Sequence, residues 1–89
     1  MTTLKGFQKT YLRGLAHSLK PIVQIGKEGM KEGVVRSIDE GLARHELIKV
    51  KFIDFKEKNQ KAAIAGELAA RTASEQVGMI GHTLTLYRQ

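Results

Sequence analysis

From residue 47 to residue 54 the chain reads Leu-Ile-Lys-Val-Lys-Phe-Ile-Asp, with Ile48, Val50 and Phe52 alternating against Lys49 and Lys51. A period of two with charge on the alternate positions specifies a β-strand with one buried and one wet face. A sheet built around such a strand has to be covered by helices on its apolar side. The flanking segments supply them, because there the apolar period changes to that of a helix. Leu4, Phe7, Tyr11 and Leu15, with Leu12, Ala16 and Leu19, predict a helix over 4–19 that Pro21 closes. Ile22 to Ile25 then reads as a short apolar strand. Met30, Val34, Val35, Ile38 and Leu42 form the inner stripe of a second helix, whose outer stripe alternates Glu32, Arg36, Glu40 and Arg44. A third helix is expected over about 59–72, with Ile64, Ala65, Leu68 and Ala69 inward. Gln76 to Ile80 and Thr83 to Arg88 read as a hairpin, joined by Gly81-His82, a pair suited to a type II′ turn.

The order α-β-α-β-α-β-β implies an α/β (α+β type) two-layer sandwich with a four-stranded mixed sheet and helices mainly on one face. No linker or repeat divides residues 1–89, so one domain is expected. Two helices suffice to cover one face of four strands. The N-terminal helix is therefore expected to cap an edge or wrap around, leaving the lysine-bearing face open. Phe7, Tyr11 and Phe52 are assigned to the core and Phe55 to a loop. Tyr87 shares strand parity with Thr83 and Thr85, and either packs at the strand end or emerges on the open face.

Composition narrows the function classes. The chain has no cysteine, which excludes disulfides and thiolate metal sites. No apolar run reaches the length of a membrane span and the N-terminus is unlike a signal peptide, so a cytoplasmic protein without membrane contact is expected. The net charge of +6 is unevenly spread. Residues 1–36 hold seven basic side chains (Lys5, Lys9, Arg13, Lys20, Lys27, Lys31, Arg36) against two acids, Glu28 and Glu32. The remainder is nearly balanced. A basic half suits a polyanionic partner as well as simple solubility.

Within that half lies Pro21 to Gly33, where a strand runs into Gly26-Lys27-Glu28-Gly29 and a helix follows. Two glycines around two polar residues leave backbone N–H groups unshielded, and the helix start adds orphan donors and the positive end of its dipole. The arrangement fits a phosphate-binding corner, as in the G-x-x-G loop of KH domains. Taken alone, it fits a plain strand-to-helix turn better. A second G-x-x-G, Gly78-Met79-Ile80-Gly81, has apolar residues inside and no helix after it, and reads as strand and turn.

Several signposts in order carry a resemblance: Gln8-Lys9, Tyr11 to His17, Leu19-Lys20-Pro21, Ile25 to Gly29, His45 to Lys51, Ile80-Gly81 and Leu84 to Arg88. Over nearly its whole length the chain resembles the YhbY family, the stand-alone bacterial form of the CRM (chloroplast RNA splicing and ribosome maturation) domain. The resemblance implies a fold similar to the C-terminal domain of translation initiation factor three. It also implies binding of RNA, in particular rRNA in precursors of the large ribosomal subunit, and a role in ribosome assembly. Residue by residue, it implies contact through the loop Gly26, Lys27, Glu28 and Gly29, with Lys31 just beyond it, and through Lys9, Arg13 and Lys20. Two departures stand out. Lys5-Gly6-Phe7 occupy the places where the family usually has a Ser/Thr cap and a lysine. Glu28 puts an acid inside the loop, and its side chain is expected to turn to solvent.

No catalytic set emerges. His17, His45 and His82 fall in different elements without ligand spacing, so no metal is expected. Ser18, Ser37 and Ser74 have no base and orienter to activate them, and Lys27 lacks the Walker spacing. Central-strand aromatics of the RRM kind are missing. The expectation is a non-enzymatic, monomeric RNA-binding protein without cofactor or small-molecule substrate. The alternative is a protein-interaction module whose basic face meets an acidic partner, with a small hydrolase a distant third.

Overall fold

The alternation around Val50 becomes a central strand of a four-stranded sheet. In the computed structural model, which describes residues 4–26, 31–53 and 58–88, the elements are α1 (Gly6–Ala16), β1 (Val23–Ile25), α2 (Glu32–His45), β2 (Leu47–Phe52), α3 (Lys58–Arg71), β3 (Glu75–Ile80) and β4 (Thr83–Tyr87). The strand order is β1-β2-β4-β3. β1 runs parallel to β2, with Val23 beside Val50 and Ile25 beside Phe52. β4 is antiparallel to both β2 and β3. The expected element order, mixed sheet and single hairpin are all present.

One face carries Val23, Ile25, Ile48, Val50, Phe52, Leu84 and Leu86, all buried together with Ile38 and Leu42 of α2 and Ala65 and Leu68 of α3. Each of these side chains except that of Ala65 contributes about 1.5–3 kcal/mol on burial. Val34, Val35, Ile64 and Ala69 pack at the margin of this cluster, as their helical spacing requires. Met30 and Phe55 lie outside the described residues.

The opposite face carries Gln24, Lys49, Lys51, Gly78, Thr83 and Thr85, by register with one another. It is not open throughout, because α1 lies across it. A Cβ built on Gly78 would come within 2.9 Å of the Arg13 side-chain Cδ, so the missing side chain is what lets the Arg13 stem lie against β3. Lys49 Nζ donates to the Leu19 carbonyl at 3.1 Å, and the N–H of Leu4 donates to the Glu75 carboxylate at 2.8 Å. That carboxylate stands at the N-terminus of α1, where the helix dipole favours negative charge. The Gln8 side chain accepts the Lys5 N–H at 2.8 Å, standing in for the absent Ser/Thr cap.

Laying α1 here reverses part of the expected core. The helix buries Ala16, while Phe7 and Tyr11 are exposed rather than internal. The surface that α1 meets includes Gly78, Lys49 and Thr85, which offer a large apolar ring little to pack against. The helix also ends at Ala16, short of the expected Leu19. The N–H groups of His17 and Leu19 close tighter bonds, to Gly14 and Ala16, and the chain must leave helical geometry before Pro21.

Two closures use unusual residues. Gly81 has φ +58° and is the only hairpin-turn residue with positive φ, the pattern of type II′ rather than I′. Lys61, buried in α3, donates to the Gly81 carbonyl at 2.9 Å and lies 3.3 Å from His82 Nδ1, which clasps the turn to the helix. At the end of α3, Ser74 N–H bonds Ala69 O and Ala73 N–H bonds Ala70 O, the two bonds of a Schellman motif. The residue at its left-handed position is Ala73, at φ +50°, where glycine is usual. Ala73→Gly is therefore expected to raise the unfolding free energy by about 1 kcal/mol, since the side chain costs about 1–2 kcal/mol there and glycine returns part of that as unfolded-state entropy. Urea denaturation measures it, and a lower midpoint would contradict the strain.

Candidate nucleic-acid interface

The residues singled out from sequence fall in separate parts of the molecule. Gly26 is half-buried at the end of β1, directly after Ile25, whose carbonyl accepts the Ile53 N–H at 2.9 Å. Lys27, Glu28 and Gly29 lie outside the described residues. Lys31 is the exposed residue that precedes α2, and its carbonyl accepts the N–H groups of Val34 and Val35. A groove of about 480 Å³ runs between β1 and this helix start, lined by Gln24, Lys31, Gly33 and Ser37 among others. The corner around Gly26 is thus built from the end of an edge strand and the start of a 14-residue helix, where N–H groups of the first turn lack helical partners.

The other three positions sit elsewhere. Lys9 is partly buried and Arg13 exposed on α1, with Arg13 Nη2 donating to Thr10 Oγ1 at 3.1 Å. Arg13 lies over β3, whereas Gly26 leaves β1. Those are the two edges of the sheet, separated by three strand spacings, about 14 Å. Lys20 is exposed beside the start of β1, in a groove shared with Leu15, Leu19, Ile22, His45 and Leu47. The structure therefore brings together Gly26 and Lys31, and spreads Lys9, Arg13 and Lys20 across the width of the sheet.

Between these groups lies a side chain that neither the spacing nor the resemblance assigned to the site. Lys51 is exposed on the face that α1 crosses, paired with Gln24 on one side and Thr83 on the other. It carries its charge from the middle of the sheet to the strand that ends at Gly26. The signal was present in the sequence, since the same alternation that buries Val50 and Phe52 turns Lys49 and Lys51 to the wet face. Only the register with β1 places Lys51 next to the glycine corner, and register is not readable from one strand. Its neighbour Lys49 is committed to the Leu19 carbonyl.

The histidines remain apart. His17 lines a shallow groove with Pro21, Lys49 and Thr85, His45 lines the groove at Lys20, and His82 meets Lys61. Among the described residues no three of His, Cys, Asp or Glu are grouped to hold a metal ion, and no helix is long and apolar enough to cross a membrane. Tyr87 is half-buried on the outer face, in register with Glu75 and Leu47.

This architecture and sequence have relatives. A protein of Haemophilus influenzae named "RNA-binding protein" is 46% identical over 88 residues, which are 99% of this chain and 88% of the relative. "Probable RNA-binding protein YqeI" of Bacillus subtilis is 40% identical over 86 residues, covering 97% and 88%. The solution structure of a hypothetical protein from Staphylococcus aureus superposes with a TM-score of 0.86 at 42% identity, over 98% of this chain and 90% of that one. Residues 4–88 match the family described as the CRS1 / YhbY (CRM) domain. With its helices and mixed sheet in the same arrangement as that solved relative, the chain belongs to the CRS1 / YhbY (CRM) domain family.

Proposed function

We propose that this chain is a non-catalytic RNA-binding protein of the cytoplasm that associates with rRNA in precursors of the large ribosomal subunit and aids their assembly. The observation that carries the RNA reading is that Gln24, two residues before Gly26, pairs with Lys51 on β2 and shares a groove with Lys31 at the start of α2. This arrangement sets two cations and a helix N-terminus around the point where the glycine loop leaves the sheet. Cations supply sequence-independent attraction to phosphates, and backbone N–H groups fix where a phosphate sits. The names of the Haemophilus and Bacillus relatives support the same partner. The ribosomal destination rests on the resemblance to the YhbY family.

Salt dependence tests the first step. If about six phosphates are engaged, log affinity for single-stranded RNA falls against log salt with a slope near −4, and Lys51→Ala reduces that slope by about 0.7. A slope near zero removes electrostatic RNA binding as the main mode. Sucrose-gradient co-sedimentation with ribosomal particles tests the second step. The protein is expected with large-subunit precursors and lost from them after ribonuclease treatment. Retention after ribonuclease would favour a protein partner instead.

A further inference from the structure

α1 covers only part of the sheet face that it crosses. Register sets out the row beyond it: Gln24 beside Lys51, Lys51 beside Thr83, and Thr83 beside Ile80, which is 74% exposed. Where this row meets the segment leaving α1, a groove of about 260 Å³ opens. His17 and Pro21 form one side of it, and Lys49, Ile80, Thr83 and Thr85 the other.

Thr85 is the informative wall. It is only 6% exposed, yet among the described residues its hydroxyl has no hydrogen-bond partner. Thr72, equally buried, bonds both the Leu68 carbonyl and the Ser74 hydroxyl. Among the described residues no side-chain oxygen is both sealed from solvent and unbonded, so Thr85 Oγ1 opens into the groove that it lines. A valine would fill the same place in the strand without a buried hydroxyl to satisfy.

Size and chemistry select the occupant. Ordinary small-molecule sites begin at about 300 Å³, so this groove suits a single ring rather than a larger ligand or a helix. Its walls offer neutral hydroxyls and the apolar surfaces of Pro21 and Ile80, and among the described residues no carboxylate lines it. The Lys49 ammonium is committed to the Leu19 carbonyl, which leaves Lys51, the neighbour of Thr83, as the cation at its side. A flat heterocycle with polar edges, carried on an anionic backbone, uses all of these features. An acidic peptide would use the cation and leave the hydroxyls idle.

We propose that this groove is a base subsite, which takes one nucleobase of a single-stranded RNA against the Thr83 and Thr85 hydroxyls while the adjoining phosphate meets Lys51. The subsite rests on the RNA-binding reading given above and is continuous with it through Lys51. It adds that a base is held, not only the backbone.

Fluorescence anisotropy with two labelled strands of equal length and charge, oligouridine and an abasic ribose-phosphate strand, tests this. The wild-type chain is expected to bind oligouridine about tenfold tighter than the abasic strand. Thr85→Val should lose about fivefold on oligouridine, keep its abasic affinity and unfold at no lower urea concentration than the wild type. Lys51→Ala should weaken both strands alike, since it removes a phosphate contact. Equal affinity of the wild type for the two strands overturns the subsite while leaving RNA binding intact. So does a Thr85→Val chain that loses nothing on oligouridine, or loses equally on both strands. Methyl NMR of the wild type provides a readout that needs no substitution. The resonances of Ile80, Thr83 and Thr85 should move with oligouridine and not with the abasic strand, and identical responses would contradict the subsite. Failure to bind either strand, with polyglutamate bound instead, removes the RNA-binding reading itself and assigns the face to an acidic protein.

Discussion

Gly29→Asp is expected to weaken RNA binding by about thirtyfold, roughly 2 kcal/mol, the largest loss from any single change in the basic half. Two effects add. A side chain keeps a phosphate from close approach to backbone N–H groups, and the new carboxylate repels it. Lys27→Ala is the informative comparison, because it removes a charge and leaves the backbone unobstructed. Its loss should be smaller, about 1 kcal/mol. Anisotropy titration of both variants, each checked by circular dichroism for retained fold, gives the ranking. Unchanged affinity in Gly29→Asp would make the glycine pair a plain turn and move the RNA to Lys51 and α1.

Arg88→Ala is expected to lower the unfolding free energy by about 2–3 kcal/mol. The guanidinium joins three elements at the end of β4. Its Nη1 meets the Asp39 carboxylate of α2 and donates to the carbonyl of Thr72 after α3 at 2.8 Å, and its Nη2 donates to the Asp39 carbonyl at 2.9 Å. The ion pair contributes little of this, since the Asp39 side chain is largely exposed. The larger cost comes from the Thr72 carbonyl, which belongs to a buried residue at the negative end of a helix and would lose its cationic donor. Arg88→Lys should recover only part, because one ammonium cannot span the acceptors that the planar fork reaches. Urea denaturation with an unchanged m-value and a lower midpoint is the expected result. A shift below 0.5 kcal/mol would mean that water replaces the guanidinium at no cost.

Most of the sheet was legible from sequence, and the reason is local. The alternation from Leu47 to Phe52, the Gly81 turn and the helical stripes of Ile38, Leu42, Ala65 and Leu68 each follow from a period and a neighbour. α1 was legible as a helix but not as a packed one. Its five apolar residues, Phe7, Tyr11, Leu12, Leu15 and Ala16, form a stripe in either case, and what decides which flank turns inward is the surface it meets. That surface is made by Gly78 and Thr85, more than sixty residues away, and it admits the small Ala16 and the stem of Arg13 rather than Phe7. The candidate site divides in the same way. The glycine loop that begins at Gly26 could be singled out from types and spacing, and Lys9, Arg13, Lys20 and Lys31 from the family resemblance, whereas Lys51 needed the register of β1 on β2.

No residue of α1 belongs to the main apolar cluster, which is closed by α2, α3 and the strands alone. A helix held by one fully buried alanine, a carboxylate at its start and a lysine just past its end occupies the low end of the local-unfolding scale. Its docking is then an equilibrium of its own, distinct from the folding of the domain. Any ligand that needs α1 in place binds with an affinity reduced by the fraction of molecules in which the helix is seated. Residues such as Gly78 and Glu75, which touch no RNA in the arrangement proposed, would therefore set how tightly RNA is held.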